Sequence, residues 1–344
     1  MKIVFIIYSL GSGGAERVLV SLANFLSKKY EIEIFTFNSQ DSFYPLNKKV
    51  KHKKLNIDFI SNNKFQTLYN SLKRIYILQK EIKKSNPDVV ISFMTHSNIL
   101  SIIASKLLSK KIIISERIAN DFYGKKVSFL KNLVYKFSDR LILQTKSDAK
   151  NYKISTTIIP NPINIECEKV DKENIVLAVG RLDKQKGFEL LIEEFSKIDT
   201  NWRLVIAGEG KERNNLEKLI KKDNISLIGN QKDINKWYAK SSIFVLSSIR
   251  EGFPNVLIEA MSCRCACISF DCPYGPSEII ENNKNGILVE NQNREKLKEA
   301  IELLIKDKNL REKLANEAIK IKDKYSIEKI ADRWEQVIKE VING

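Results

Sequence analysis

Short apolar runs of strand length alternate along the whole chain with amphipathic segments of helix length. In the first half the runs are KIVFII (2–7), EIEIFTF (31–37), DVVISF (88–93), KIIISE (111–116) and RLILQT (140–145), and segments 15–28, 67–84, 97–109 and 127–137 carry the helical period. The pattern breaks at STTIIPNPIN, where Pro160 and Pro162 interrupt regular structure, and a polar stretch runs on to Asn174. It restarts with NIVLAVG (174–180), RLVIAG (203–208), ISLIG (225–229), SIFVLS (242–247), ACISF (266–270) and GILVE (286–290), with helices in the gaps. From residue 293 the chain is helical and charged, broken at Tyr325-Ser326, with Ser326 as N-cap of a last helix. Apolar strands without alternation, each followed by a helix, mean parallel sheets covered on both faces. The expected fold class is α/β: two successive doubly wound, Rossmann-like domains over 1–165 and 166–325, with an interdomain cleft that the strand carboxyl ends face.

A chain of 344 residues, 43% of them apolar, suffices for two cores, and 7 Pro and 13 Gly exclude a disordered or collagen-like class. Five cysteines, four of them crowded between Cys263 and Cys272, do not suit a secreted disulfide framework. Cys263, Cys265 and Cys267 read as small buried hydrophobes in a reducing compartment; their C-x-C-x-C spacing lacks the C-x2-C pairs of a zinc site. The first apolar run is far short of the roughly 20 residues of a spanning helix and lacks a cleavage pattern, so the expected location is cytoplasmic with peripheral membrane contact.

The charge is uneven. Of a net +16, residues 1–165 carry 27 Lys and Arg against 11 Asp and Glu, while residues 166–344 carry 31 of each. Helical segment 125–137 sets Phe129, Leu130, Leu133, Val134 and Phe137 near one face, with Lys125, Lys126, Lys131 and Lys136 around it; segment 71–84 is similar. Core helices with solvated lysines are one reading, and a patch facing anionic lipid is the other.

Three constellations carry candidate chemistry. Gly11-Ser12-Gly13-Gly14-Ala15-Glu16-Arg17 follows the first strand, where bare backbone and a helix N-terminus favour an anion. A dinucleotide fingerprint would need Gly at position 16, and no G-K-[ST] follows for a Walker loop. Gly180-Arg181-Leu182-Asp183-Lys184-Gln185-Lys186-Gly187 opens the second domain, with Arg181 and Lys186 able to reach one diphosphate, or to be two surface cations on a turn. In Glu251-Gly252-Phe253-Pro254-Asn255-Val256-Leu257-Ile258-Glu259, Pro254 suits a first helical turn and the amides of Phe253 to Val256 are expected to face an anion. Glu259, among apolar neighbours, needs a partner if buried.

In this order the three motifs, with EAMSCRCACISFDCPYGPSEII and GILV downstream, resemble the family 4 retaining glycosyltransferases of GT-B architecture, above all bacterial enzymes that build capsule, O-antigen and lipid-linked oligosaccharides. The resemblance covers essentially the whole chain. It implies that Arg181 and Lys186 hold the donor diphosphate and stabilise its charge as the glycosidic bond breaks. It assigns Glu259 to the donor ribose, Glu251 to hydroxyls of the transferred sugar, Gly13 and Gly14 to the distal phosphate, Gly252, Phe253, Pro254, Asn255 and Val256 to the anion site, and the segment around Ile228 to the nucleobase. The catalytic set is Arg181, Lys186 and Glu251, without a protein nucleophile. The donor is expected to be a UDP-sugar and the acceptor a lipid-linked saccharide. No D-x-D occurs in the sequence, so neither metal nor other cofactor is expected. The last helix, 326–344, is expected to pack back on the first domain.

Acceptor-side candidates are Glu16, His96, Glu116 and Arg117; many relatives have a His where Ser115-Glu116-Arg117 stands here. The rival class is a basic nucleic-acid-binding protein, and against it the basic stretches lack interleaved aromatics for stacking. A GT-B-like phosphorylase or sugar-nucleotide epimerase is the other alternative.

Overall fold

Strands with branched apolar residues at every position need a helical layer on each face, and the chain builds two sheets of this kind. The computed structural model describes residues 1–118, 124–163 and 165–344. It divides into two units, Met1–Pro162 with Ile327–Gly344, and Ile163–Ser326.

The first unit runs β1 (Lys2–Ile7), α1 (Gly14–Leu26), β2 (Glu31–Thr36), β3 (Val50–Lys54), α2 (Lys64–Ser85), β4 (Val89–Phe93), α3 (Thr95–Lys106), β5 (Lys111–Ser115), α4 (Lys125–Tyr135), β6 (Arg140–Leu143), α5 (Lys146–Ala149) and β7 (Thr156–Ile158). Its strands pair in parallel in the order β3-β2-β1-β4-β5-β6-β7. In the second unit β8 (Glu173–Val179), α6 (Phe188–Ser196), β9 (Arg203–Ala207), α7 (Arg213–Leu219), β10 (Ile225–Leu227), α8 (Ile234–Lys240), β11 (Ser241–Leu246), α9 (Asn255–Ser262), β12 (Ala266–Asp271), α10 (Pro276–Ile279) and β13 (Ile287–Glu290) form a parallel sheet β10-β9-β8-β11-β12-β13. Helices α11 (Arg294–Lys306), α12 (Lys308–Ala318) and α13 (Ile321–Tyr325) complete it.

Both orders reverse direction once, between β1 and β4 and between β8 and β11. Such a switch point leaves an open crevice at the strand carboxyl ends, where doubly wound sheets bind ligands. The glycine loop leaves β1, the Gly180 turn leaves β8 and the Glu251 turn leaves β11, so all three motifs sit at switch points.

The final helix, α14 (Ile327–Asn343), belongs to the first unit. Trp334 is fully buried there, its ring stacked on Phe93 with centroids 5.7 Å apart. Glu335 accepts from Lys29 (3.1 Å) and Lys339 (2.7 Å). The units meet in sequence at 162/163, three residues before the expected 165/166, because the Ile163 N–H already donates to the Tyr325 carbonyl (2.7 Å).

Two expectations are corrected. Cys167 and Cys263 form a disulfide, because the segment leading to β8 passes the end of α9 with the two Cα atoms 5.4 Å apart; Cys265, Cys267 and Cys272 are buried thiols. Lys131 is not in the solvated ring of α4: it is buried, its ammonium donating to the Tyr152 hydroxyl (3.0 Å), while Phe129, Leu130 and Leu133 of the same helix are exposed. The side chains of Lys125 and Lys126 lie outside the described residues.

Candidate functional site

In the second unit, two turns at the switch point are bound to each other. The Gln185 side chain donates to the Arg250 carbonyl (2.9 Å), the Ile249 N–H to the Gln185 carbonyl (2.9 Å) and the Ser247 hydroxyl to the Lys186 carbonyl (2.9 Å). Gly187 closes the first turn at φ 63°, and a Cβ there would collide with the Ser247 carbonyl, so no other residue lets the turns approach this closely.

This scaffold brings Lys186 to Glu251, Nζ to Oε1 2.7 Å, with side chains only 16% and 9% exposed. Arg181 extends outward, 77% exposed, with Nη2 3.1 Å from Asp183 Oδ2. Each candidate diphosphate cation thus has a carboxylate partner, and an incoming polyanion competes for both. Cys272 lies close by: burial and then the Glu251 charge push its thiol up to about 12, so it is an inert neighbour.

Glu251 leads through Gly252 and Phe253 to Pro254, the N-cap of α9. Phe253 is buried, its ring edge-on to Tyr325. The expected run of outward amides is corrected at Asn255, whose N–H is spent on the Phe253 carbonyl (3.0 Å) because the chain turns tightly before the helix; Val256 follows in the first turn. Glu259, one turn further, is buried and accepts from the Tyr238 hydroxyl (3.1 Å), the partner its apolar setting calls for. Ile228 is tied to β9 through its N–H to the Ile206 carbonyl (3.0 Å), and its own carbonyl accepts from Gln231 (2.6 Å), which in turn holds the Trp237 indole (3.2 Å).

In the first unit, Gly13 is the N-cap of α1 and Gly14 its first residue, both exposed. The Glu16 carboxylate folds back over Gly13, where a Cβ would collide with it, and burial raises its pKa. A carboxylate therefore occupies the helix N-terminus, the position that suits an anion. His96, in the first turn of α3, meets Phe37 (6.1 Å) and Tyr8 (6.5 Å) edge-on; the covering of its ring, and then the charge of Arg74, lower its pKa. It follows Met94, which takes φ 75°, a conformation that costs a non-glycine residue energy.

The side chains of Glu116 and Arg117, expected together on the acceptor side, take different partners, although the Arg117 N–H donates to Glu116 Oε1 (3.2 Å). Glu116 is buried; its Oε2 accepts from Thr95 (2.6 Å) and Tyr135 (2.7 Å), tying β5 to α3 and α4. Burial raises its pKa and the two hydroxyls oppose the rise. Arg117 instead donates from Nη1 to Asn161 Oδ1 (2.6 Å).

Residues 12–166 match the family model described as Glycosyltransferase Family 4, and residues 163–321 the one described as Glycosyl transferases group 1. A Campylobacter jejuni protein named GalNAc-alpha-(1->4)-GalNAc-alpha-(1->3)-diNAcBac-PP-undecaprenol alpha-1,4-N-acetyl-D-galactosaminyltransferase is 34% identical, with 100% of each chain covered. The chain belongs to the family 4 glycosyltransferases. A second C. jejuni relative, named N-acetylgalactosamine-N,N'-diacetylbacillosaminyl-diphospho-undecaprenol 4-alpha-N-acetylgalactosaminyltransferase, is 29% identical over 92% of this chain and 93% of its own. Among solved structures, HepE of Anabaena in complex with UDP shares the fold at TM-score 0.82 and 17% identity, covering 99% of this chain and 100% of that one.

For this glycosyltransferase, the motifs alone do not point to Gln185, Ser247 and Tyr238 as the supports of the two interlocked turns and of Glu259, or to Thr95, Tyr135 and Asn161, which set Glu116 and Arg117. Of these, Gln185 stands inside a motif and Asn161 between two prolines, a weak local signal; the others reach the site only through tertiary packing.

Proposed function

We propose that this glycosyltransferase takes a sugar from a UDP-sugar and transfers it, with retained anomeric configuration, to a saccharide on a lipid diphosphate at the inner face of the cell membrane. The observation that carries the donor half is the Lys186–Glu251 pair, two charges held at a switch point by interlocked turns. The relatives named for undecaprenol-diphospho substrates, and a UDP-bound structural neighbour, support the same reading.

On this reading the donor diphosphate takes Lys186 from Glu251 and Arg181 from Asp183, which leaves Glu251 for hydroxyls of the transferred sugar. Glu259 takes the ribose hydroxyls, and the segment at Ile228 covers the nucleobase. The backbone N–H groups of Phe253 and Val256, on either side of the turn that Asn255 closes, complete the phosphate contacts. The bond from the anomeric carbon to the phosphate oxygen breaks, the acceptor hydroxyl bonds to that carbon on the same face, and its proton leaves with the UDP phosphate. Lys186 and Arg181 neutralise the charge that develops there, the dominant form of help such a step can receive.

The membrane half rests on an inverted helix. Helix α2 buries Asn70 and Arg74, whose side chains donate to carbonyls of residues 57–60, and exposes Phe65, Leu68, Tyr69, Leu72 and Tyr76 along one face. Exposed Phe129, Leu130, Leu133 and Phe137 add to the apolar surface of this basic unit. None of the described helices is long and apolar enough to cross a membrane. An apolar face on a strongly cationic unit suits the interface of an anionic bilayer.

The test is a panel of UDP-, GDP- and ADP-sugars, scored by thermal stabilisation and by transfer to a short-chain polyprenyl-diphosphate saccharide. Stabilisation by a UDP-sugar and transfer from it are expected. Response to GDP- or ADP-sugars alone, or epimerised donor with no acceptor product, would reject the proposal.

A further inference from the structure

Arg117 carries a charge into the first unit with most of its hydrogen-bonding capacity unspent. It follows β5 beside Glu116, and neighbouring residues of extended chain face opposite ways, so it is turned away from the Thr95 and Tyr135 hydroxyls. Apart from Nη1, which donates to Asn161, its Nε and Nη2 groups are buried without a partner. The guanidinium carbon lies 5.2 Å from the Phe93 ring centre and 5.8 Å from that of Trp334. The Trp334 indole N–H is buried and unpartnered as well. The result is a set of orphaned donors with no acceptor among them, on and beside a permanent cation. Burial lowers the Arg117 pKa to about 9 and the nearby Glu116 charge opposes the fall, so it stays charged at neutral pH.

Unpaired buried donors are costly, and a buried charge more so. The ligand that removes the cost is an anion with two oxygens in one plane, which the adjacent Nε–H and Nη2–H of a guanidinium match in bidentate fashion. Position separates this anion from one at the N-terminus of α1. In the sheet order β5 stands two strands from β1, about 10 Å at the usual strand spacing.

We propose that Arg117 binds a phosphoryl group of the acceptor's lipid diphosphate through Nε and Nη2, so that the enzyme reads the diphosphate link as well as the saccharide. Asn161, Phe93 and Trp334 are positioning residues for it. The proposal rests on the reading of the acceptor as a lipid diphosphate and adds the residue that recognises it.

Two readouts on the full chain test it. In an Arg181→Ala, Lys186→Ala background, which removes both donor-side cations, inorganic pyrophosphate should raise the melting temperature; Arg117→Gln should abolish that rise and Arg117→Lys should keep part of it. In steady-state assays, Arg117→Gln should raise the acceptor KM roughly 10- to 100-fold, the range for losing hydrogen bonds to a charged group, and leave the donor KM unchanged. The penalty should vanish when the same saccharide is presented on a neutral lipid aglycone. A raised donor KM would give Arg117 to the donor's diphosphate instead. Equal losses on charged and neutral acceptors, or pyrophosphate stabilisation indifferent to residue 117, would leave it a structural cation and overturn the proposal. A wild-type enzyme inactive on every diphosphate-linked saccharide would reject the functional reading, while the pyrophosphate arm would still decide on Arg117.

Discussion

Lys186 Nζ stands 2.7 Å from Glu251 Oε1 across the turns that leave β8 and β11, so the cation assigned to the donor diphosphate already holds a carboxylate. The pair is largely buried, and removing one partner of such a pair leaves an uncompensated charge. The two residues also compete, since any anion that takes Lys186 must displace Glu251.

Opposite effects on binding and stability follow. Lys186→Ala should weaken UDP binding at least tenfold and lower stability by about 3 kcal/mol, the scale for breaking a buried pair. Glu251→Gln should bind UDP at least as tightly as wild type, because Lys186 loses its competitor, and yet fail to transfer the sugar. Calorimetry of UDP binding and urea denaturation measure both. Equal weakening of UDP binding by the two substitutions would show that they do not compete.

Chelation should leave the rate unchanged. On the proposed reading, Arg181 and Lys186 supply the counter-charge that a divalent cation supplies in other sugar-nucleotide sites. Initial rates before and after dialysis against EDTA check this, and a loss restored by added Mg2+ or Mn2+ would remove the two side chains from that role.

The doubly wound fold was legible because strands buried on both faces read as apolar runs: the expected run 203–208 is β9 (Arg203–Ala207), and 2–7 is β1. Strand β3 was not, because VKHKK is an edge strand with one neighbour and lysines along it. Burial of Lys131 was equally hidden, since the hydroxyl of Tyr152 that receives it comes from a segment 21 residues away. At the turns that leave β8 and β11 the local chemistry showed in the sequence, as at Gly187. The withdrawal of the Asn255 amide and the different side-chain partners of Glu116 and Arg117 depend on exact chain direction, which residue types do not carry.

Glu335 should couple the last helix to pH. Its carboxylate accepts from Lys339, Tyr30 and Lys29, which hold its pKa down at about 2 against an ordinary 4.5. A depressed folded-state value stabilises the protein above the unfolded value, and that contribution fades as pH falls from 4.5 towards 2. Glu335→Gln should therefore melt below wild type at pH 7, with the gap narrowing below pH 4.5. A gap constant from pH 7 to pH 3 would mean that the ionised form is not what α14 uses.

The exposed stripe of α2 separates two sources of membrane affinity. Basic residues near an anionic surface contribute about 1 kcal/mol each, and salt screens them; inserted apolar side chains are indifferent to salt. Wild-type protein should thus bind vesicles rich in phosphatidylglycerol, lose much of that binding at high salt and keep a remainder. Replacing Tyr69 and Leu72 by Asp should abolish the remainder. Because both side chains are exposed, the double variant should unfold within about 1 kcal/mol of wild type, at about 0.5 kcal/mol for each surface change. Flotation assays at low and high salt give the two contributions. Binding by the double variant equal to wild type under both conditions would take the stripe out of the interface and leave the basic charge alone to account for attachment.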